Sequence, residues 1–146
     1  MQKVKNTTTF YYRNANPKNK KTTDCFVRAI STAMEQDYET TARELLDMWM
    51  KTGYCLNDPK CYGAYLESKG WVKHKQPRHS YDNTKYTGRQ FCLELVRYDS
   101  DIDSGNDMNH IIAHIGGHHI VAIICGQIYD IWNSEDKCIG NYWTKG

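Results

Sequence analysis

Apolar residues in the first half of the chain recur every three or four positions, the spacing typical of helices that bury one face. The first such stripe runs from Cys25 to Met34 and follows Thr22, Thr23 and Asp24, any of which can cap a helix. The pattern therefore predicts a helix that presses one side into a core and carries Cys25 in its first turn.

Three further helices are indicated by end signals as much as by apolar stripes. A second helix is predicted over 38–51 and ends at Gly53. A third begins with Pro59 in its first position and stops at Gly70. A brief fourth helix, capped by Thr87, is predicted for the segment TGRQFCLELV.

From residue 110 onward β-branched residues dominate and glycines occur at short intervals, which is typical of strands joined by tight turns. The predicted strands are HIIAHI, HIVAII, QIYDIW and CIGNYW, with turns at Gly116-Gly117, at Cys125-Gly126 and at SEDK. Shorter strands are predicted for TFYYR and WVKHK. N-terminal helices packed on a C-terminal antiparallel meander describe an α+β domain.

Length and composition are those of one domain with one core. The chain has 146 residues, of which 40% are hydrophobic, so residues 1–146 are predicted to fold as a single unit. No stretch approaches the roughly 20 apolar residues that cross a bilayer, and the N-terminus lacks the apolar segment of a secretory signal. We therefore expect a cytoplasmic protein without a membrane partner. Its six cysteines are expected to stay reduced, most of them buried.

Charge is unevenly distributed along the chain. Residues 1–21 carry six basic side chains and no acidic one, although the net charge of the whole chain is only +2. A basic N-terminal arm thus precedes an acidic body. Dispersed charges without an interleaved recognition motif are more typical of a solvated surface than of a nucleic-acid site. Nucleic acid is therefore not an expected partner.

Cys25 is the cysteine best placed for chemistry. At the N-terminus of a helix a thiolate faces the positive end of the aligned peptide dipoles, which lowers the pKa of the thiol and favours its reactive form. Cys92 and Cys125, by contrast, lie amid apolar residues on predicted core elements. A nucleophilic cysteine also needs a base and a group that orients this base.

The hairpin predicted near the C-terminus supplies both groups. If Cys125-Gly126 forms a two-residue turn, His119 and Asp130 share one face, diagonal to each other and within reach of a hydrogen bond. An acid among Val, Ile and Trp residues is costly to bury without such a partner, which favours Asp130 in this role. A one-residue bulge would bring Asn133 to the same face, so Asn133 is the alternative.

These parts, in this order, resemble the papain-like cysteine peptidases, in particular small bacterial and phage-borne proteins similar to double-glycine leader peptidase domains. TTDCFVRAI is similar to their nucleophile helix, HIVAIICGQIYDIW to their histidine hairpin and DKCIGNYW to a closing strand. The resemblance implies a papain-like fold, with Cys25 as the nucleophile, His119 as the base and later the acid, and Asp130 holding the imidazole tautomer. These enzymes usually place an oxyanion-stabilising Gln six residues before the nucleophile, where this chain has Asn19.

The expected function is hydrolysis of a peptide or isopeptide bond, with a peptide or protein as substrate and no cofactor. An alternative is a papain-fold protein of a phage or mobile element, weakly active or inactive, that binds a host factor. A second alternative is a zinc site, since His114 would lie across from His119 if Gly116-Gly117 makes the turn. A calcium loop at DSDIDSGND is disfavoured because its glycine and its glutamate position do not match.

Overall fold

Four helices and six strands are present in the computed structural model, which describes residues 4–97, 102 and 107–146. In chain order they are β1 (Phe10–Tyr12), α1 (Cys25–Ala33), α2 (Tyr38–Thr52), α3 (Pro59–Ser68), β2 (Trp71–His74), α4 (Gly88–Leu95), β3 (Asp107–Ile115), β4 (His119–Ile124), β5 (Gln127–Asp130) and β6 (Ile139–Lys145). All four predicted helices are present, and the α+β class is confirmed. Within the described ranges, no helix combines the length and apolar character needed to cross a membrane.

Helix α2 is capped at both ends, and helix α4 at its start, by residues that are close together in the sequence. Asp37 accepts a hydrogen bond from the backbone N–H of Thr40 at 3.0 Å, and Thr87 forms a capping box with Gln90. Helix α2 ends at Gly53, whose φ of 79° is a left-handed conformation that glycine adopts without a Cβ clash. Because these caps involve neighbours in sequence, both limits of α2 and the start of α4 are predictable from the sequence.

Helix α1 begins differently. Asp24 occupies the N-cap position as predicted, but its side chain makes no capping hydrogen bond. Its Oδ1 accepts a hydrogen bond from Nε of Arg28 at 2.8 Å instead. Of the three candidate caps in the sequence, Asp24 holds the N-cap position, but its side chain does not cap the helix because a buried cation one turn later binds the carboxylate.

The sheet has the strand order β1-β5-β4-β3-β6-β2. Strands β3, β4 and β5 form an antiparallel meander, but β6 returns to the free edge of β3, where Trp143 pairs with Ile112. At the other side β1 runs parallel to β5, with Phe10 opposite Ile128. The predicted antiparallel pairing of the four C-terminal strands is confirmed, but their order is not that of a meander, because β6 joins β3 rather than β5. The sheet is mixed, because the apolar pattern of a strand does not specify which edge it joins.

Both faces of the sheet are buried. Ile112 of β3 packs in a cluster with residues of α1, α2 and α3, whereas its neighbour Ile111 packs with Phe91 of α4 and Phe10 of β1. Successive residues of a strand point to opposite faces, so helices α1 to α3 cover one face and α4 covers the other. This arrangement explains why the central strands are continuous apolar runs rather than alternating ones.

The basic N-terminal stretch belongs to this fold from Thr7 onward. The hydroxyls of Thr7 and Thr9 both donate to the buried carboxylate of Glu135, and Arg89 pairs with the same carboxylate at 2.9 Å. Strand β1 follows directly and joins the sheet. The stretch therefore contributes a strand and a buried polar contact in addition to its exposed lysines.

The six cysteines are all unpaired and differ in burial. Cys61 and Cys92 are buried, Cys25 is half-buried, and the other three are exposed. The expectation that most of them are buried is wrong, notably for Cys125. This residue lies at the tip of the β4–β5 hairpin with a φ of 48°, because a tight two-residue turn needs positive φ angles.

Two neighbouring leucines of α2 test this assignment of the core. Leu45 is 0% exposed and Leu46 is 44% exposed. We expect Leu45→Ala to lower the free energy of unfolding by about 2–5 kcal/mol, since it leaves a cavity in the core, and Leu46→Ala to lower it by less than about 1 kcal/mol. Urea denaturation of both variants measures the difference. Equal losses would contradict the packing of α2 described above.

Candidate active site

The β4–β5 hairpin brings a histidine and an aspartate together at one end of the sheet. Its register pairs Ile124 with Gln127 and Ile123 with Ile128, which is the register predicted from a two-residue turn. Strand β4 begins at His119 and β5 ends at Asp130, so an antiparallel pairing places both residues at the same end. Nε2 of His119 lies 2.5 Å from Oδ2 of Asp130.

Cys25 reaches the same place from the helical layer. It is the first residue of α1, and α1 packs against β4 through Ile30 on the helix and Ala122 on the strand. The His119 side chain and the backbone of Ile120 lie close enough to the thiol to lower its pKa. Since Nε2 of His119 is bound to Asp130, the ring nitrogen left for the thiol is Nδ1. The structure thus brings together the three residues singled out from the sequence.

Burial and hydrogen bonding act on the Cys25 thiol in opposite directions. Burial raises its pKa, but the hydrogen bonds from His119 and the backbone of Ile120, together with the positive charges of His119 and Arg28, lower the pKa by more. The pKa of Cys25 therefore lies below its ordinary value of 9.0. A thiol with a lowered pKa keeps more of its thiolate, the nucleophilic form, at neutral pH.

The imidazole shifts in the complementary direction. Burial lowers the pKa of His119, but the hydrogen bonds to Asp130 and Cys25 and the negative charges of both groups raise it to about 9. A protonated imidazole stabilises the thiolate, and the thiolate stabilises the protonated imidazole. The two pKa shifts therefore favour the charged form of each group, the thiolate of Cys25 and the imidazolium of His119.

Asp130 has a second charged partner that the sequence reasoning missed. Nη1 of Arg28 donates to Oδ1 of Asp130 at 2.6 Å, while its Nε donates to Asp24 at 2.8 Å. The other oxygen of Asp24 accepts hydrogen bonds from Tyr38 at 2.6 Å and from Asn16 at 3.1 Å. One signal could have identified Arg28: it lies among apolar residues of a core helix, four positions after an acid.

A cavity of about 630 Å³ lies beside the thiol. It is lined by Cys25 and by side chains from α3, β2, β3, the β3–β4 turn and β6, among them Tyr62, Lys73, His114, His118 and Asn141. On another side of the histidine, the ring of Trp132 lies 4.8 Å from the ring of His119. A small segment of a ligand can therefore enter next to Cys25 without displacing core residues.

Two asparagines considered from the sequence are not part of this arrangement. Asn133 is exposed, and its Nδ2 donates to Glu135 at 3.0 Å, so it does not orient His119. Asp130 does so instead, because the bulge that would have turned Asn133 inward is absent from β5. Asn19 is exposed, accepts a hydrogen bond from Asn14 at 3.4 Å and is not among the described residues that line the cavity. It is therefore not placed as an oxyanion donor.

The predicted pairing of His114 with His119 is also wrong. Three residues rather than two form the β3–β4 turn, so His119 pairs with Ile115 and His114 pairs with Ile120. Nε2 of His114 is bound to the hydroxyl of Tyr62 at 2.6 Å, and burial lowers the pKa of His114. Among the described residues, no group of three or more His, Cys, Asp or Glu side chains could hold a metal ion. The acids of the segment considered for calcium, before residue 107, lie outside the described residues.

No family model, no curated protein and no solved structure matches this chain. The chemistry of the site follows from its own geometry: an imidazole is bound to a carboxylate and adjoins a thiol, beside a cavity. This is the arrangement that activates a cysteine as a nucleophile.

Removal of the imidazole should raise the pKa of Cys25, because the hydrogen bond and the charge of His119 both lower it. In His119→Ala we expect the reaction of Cys25 with iodoacetamide at neutral pH to slow by about tenfold or more, equivalent to a shift of about one pH unit. Mass-spectrometric peptide mapping of the alkylated cysteines across a pH series measures the shift.

A histidine at the other end of the sheet is the matched control for this experiment. His110 pairs with Ile124, at the end of β4 opposite His119, and is not among the described residues that line the cavity, so His110→Ala should leave the alkylation profile of Cys25 unchanged. Exposed Cys55 serves as an internal reference for the reagent in every sample. Equal slowing in both variants would show that His119 does not activate the thiol.

Proposed function

We propose that this protein is a cysteine hydrolase of the papain-like class that cleaves a peptide or isopeptide bond. Cys25 is its nucleophile, His119 its general base and acid, and Asp130 the residue that orients the imidazole. The observation that carries the proposal is that the three residues meet beside a cavity, where His119 binds Asp130 and also lies close enough to Cys25 to lower the pKa of its thiol. These are the parts that a nucleophilic cysteine requires.

The positions of these residues in the chain also support the papain-like class. Cys25 is the first residue of a helix packed on the sheet, and the histidine and aspartate lie on a hairpin of that sheet much later in the chain. This order and these element types are those of the papain-like peptidases that the sequence resembles. Both the meeting of the three side chains and the order of their helix and hairpin along the chain therefore support this class.

The reaction is acyl transfer. The Cys25 thiolate attacks the carbonyl carbon of the substrate amide, and the carbonyl oxygen becomes an oxyanion. His119 gives its proton to the leaving amine, so the C–N bond breaks and a thioester on Cys25 remains. The neutral His119 then removes a proton from water as this water attacks the thioester. The C–S bond breaks, which releases the carboxylic acid and restores the thiolate beside the imidazolium.

Backbone N–H groups at the start of α1 are the donors that we assign to the oxyanion. Asp24 does not cap this end of the helix with its side chain, because the carboxylate is bound to Arg28. The N–H of Cys25 belongs to the first turn of the helix, where N–H groups have no carbonyl partner within the helix. It lies next to the thiol that attacks, which is where the oxyanion forms.

The cavity favours substrates without positive charge next to the bond that is cleaved. The described residues that line it include Lys73 and the side-chain amides of Asn57, Gln76 and Asn141, but no carboxylate. Side-chain amides can hydrogen-bond a peptide backbone, whereas Lys73 repels a basic side chain. Peptides with neutral or acidic residues near the scissile bond are therefore the substrate class that we propose.

Cys25→Ala should abolish hydrolysis, because no other group replaces the attacking thiolate. We expect kcat/KM to fall by roughly 10⁴-fold or more. A positional-scanning library of fluorogenic peptides measures this loss and also reports whether basic residues are disfavoured. In the wild type, the epoxide E-64 should label Cys25 far faster than the other five cysteines.

Cys125→Ala is the matched control, since this exposed thiol lies at the opposite end of the β4–β5 hairpin from the site. It should retain hydrolysis and E-64 labelling of Cys25, and urea denaturation should show that both variants are folded. Equal labelling of all six thiols, with no effect of Cys25→Ala on hydrolysis, would contradict the proposal. A papain-fold protein that binds a host factor would then be the better interpretation.

A further inference from the structure

Arg28 is a buried cation at the centre of the candidate site. It lies on α1, one turn after the nucleophile, and only 6% of its surface is exposed. We propose that Arg28 is a positioning residue, which holds Asp130 so that the second oxygen of this carboxylate fixes His119 against Cys25. The inference rests on the proposed function, because the orientation of His119 matters for the reaction only if His119 serves Cys25.

The hydrogen bonds of Asp130 divide its two oxygens between different partners. Oδ1 accepts from Nη1 of Arg28 at 2.6 Å and from the backbone N–H of Ile131 at 2.7 Å. Oδ2 is bound by Nε2 of His119 at 2.5 Å. Two donors on Oδ1 fix the plane of the carboxylate, and this plane determines where Oδ2 meets the imidazole. Without Arg28, the backbone N–H of Ile131 would be the remaining described donor to Oδ1, and the plane of the carboxylate would be less firmly held.

If Arg28 only stabilised the fold, one buried carboxylate would be a sufficient partner, yet it binds two. A buried guanidinium requires an anionic partner, and Asp24, four residues earlier in the chain, already provides one at 2.8 Å. The contact with Asp130 adds a second anion from a residue 102 positions away, on the sheet. The planar guanidinium presents donors in fixed directions, so it can bind both carboxylates and set their relative orientation. This second contact is the one that bears on His119.

The nucleophile and the positioning residue lie on one rigid element. Cys25 and Arg28 both belong to α1, so any movement of this helix shifts the thiol and the carboxylate partner together. The titratable groups near the site come from several elements: Tyr38 of α2, Tyr62 of α3, Lys73 of β2, His114 of β3 and His118 of the β3–β4 turn, with Asp24 at the start of α1. Lys73 is a further cation on the cavity side of Cys25, whereas Arg28 is the arginine bound to Asp130.

The pH profile of Cys25 alkylation tests the positioning role without requiring a substrate. In Arg28→Met we expect the midpoint for reaction with iodoacetamide to rise by about one pH unit or more, which is roughly tenfold less thiolate at neutral pH. Arg28→Lys keeps a charge but lacks the planar fork, so its midpoint should also rise. A wild-type profile in Arg28→Lys would overturn the proposal, because charge alone would then be sufficient.

A double variant separates the two carboxylate partners of Arg28. Asp24→Asn combined with Arg28→Met removes one negative and one positive charge together, so the buried charge stays balanced and folding is retained even if Arg28→Met alone unfolds. If Arg28 acts through Asp130, the midpoint of the double variant stays raised. If Arg28 only neutralises Asp24, the midpoint returns to the wild-type value and the proposal is wrong.

Arg43→Met is the matched control for loss of an arginine. Arg43 pairs with Glu39 on the exposed surface of α2 and is not among the described residues that line the cavity beside Cys25, so its removal should leave the profile unchanged. The alkylation readout also separates this inference from the proposed function. A wild-type protein that hydrolyses no peptide, yet whose Cys25 profile shifts in the Arg28 variants, would refute the hydrolase and retain the positioning role.

Discussion

The carboxylate of Asp130 is the point on which the candidate site depends. It is 3% exposed, and it binds Arg28 of the helical layer with one oxygen and His119 of the sheet with the other. The His119 contact forms within the β4–β5 hairpin, whereas the Arg28 contact forms only because α1 meets this hairpin at this end of the sheet. The position of Cys25 relative to His119 is therefore a consequence of how the helix is held on the sheet by one buried acid.

The stability that allows charges to be buried here comes from the apolar core around them. Both faces of the sheet are covered, and residues such as Ile30, Leu45 and Ile112 are fully buried. Burial of a guanidinium and two carboxylates is unfavourable unless each charge has partners with good geometry. The local rule that Asp caps a helix is broken at Asp24 for this reason. A helix start without its usual side-chain cap is expected where the capping residue binds a buried charge of a functional site instead.

The surroundings of Cys25 lower the pKa of its thiol, whereas those of two other cysteines raise the pKa of theirs. Burial raises the pKa of Cys92 to about 12, and burial is also the largest influence that raises the pKa of Cys61. Cys25 is half-buried as well, but His119 and Arg28 lie close enough to outweigh the cost of burial. Reactivity therefore follows from the charges that the fold brings to a thiol rather than from burial or exposure alone.

The sequence by itself determined the helices, the β4–β5 register and hence the meeting of His119 with Asp130, because caps, apolar periodicity and a two-residue turn act between near neighbours. Tertiary structure decided which edges β1 and β6 join, which asparagines stay outside the site, and that Arg28 binds Asp130. These depend on which surfaces meet across the core, and the partners are far apart in the chain. Sequence patterns between near neighbours do not specify which distant residues come into contact, so these contacts are known only from the tertiary structure.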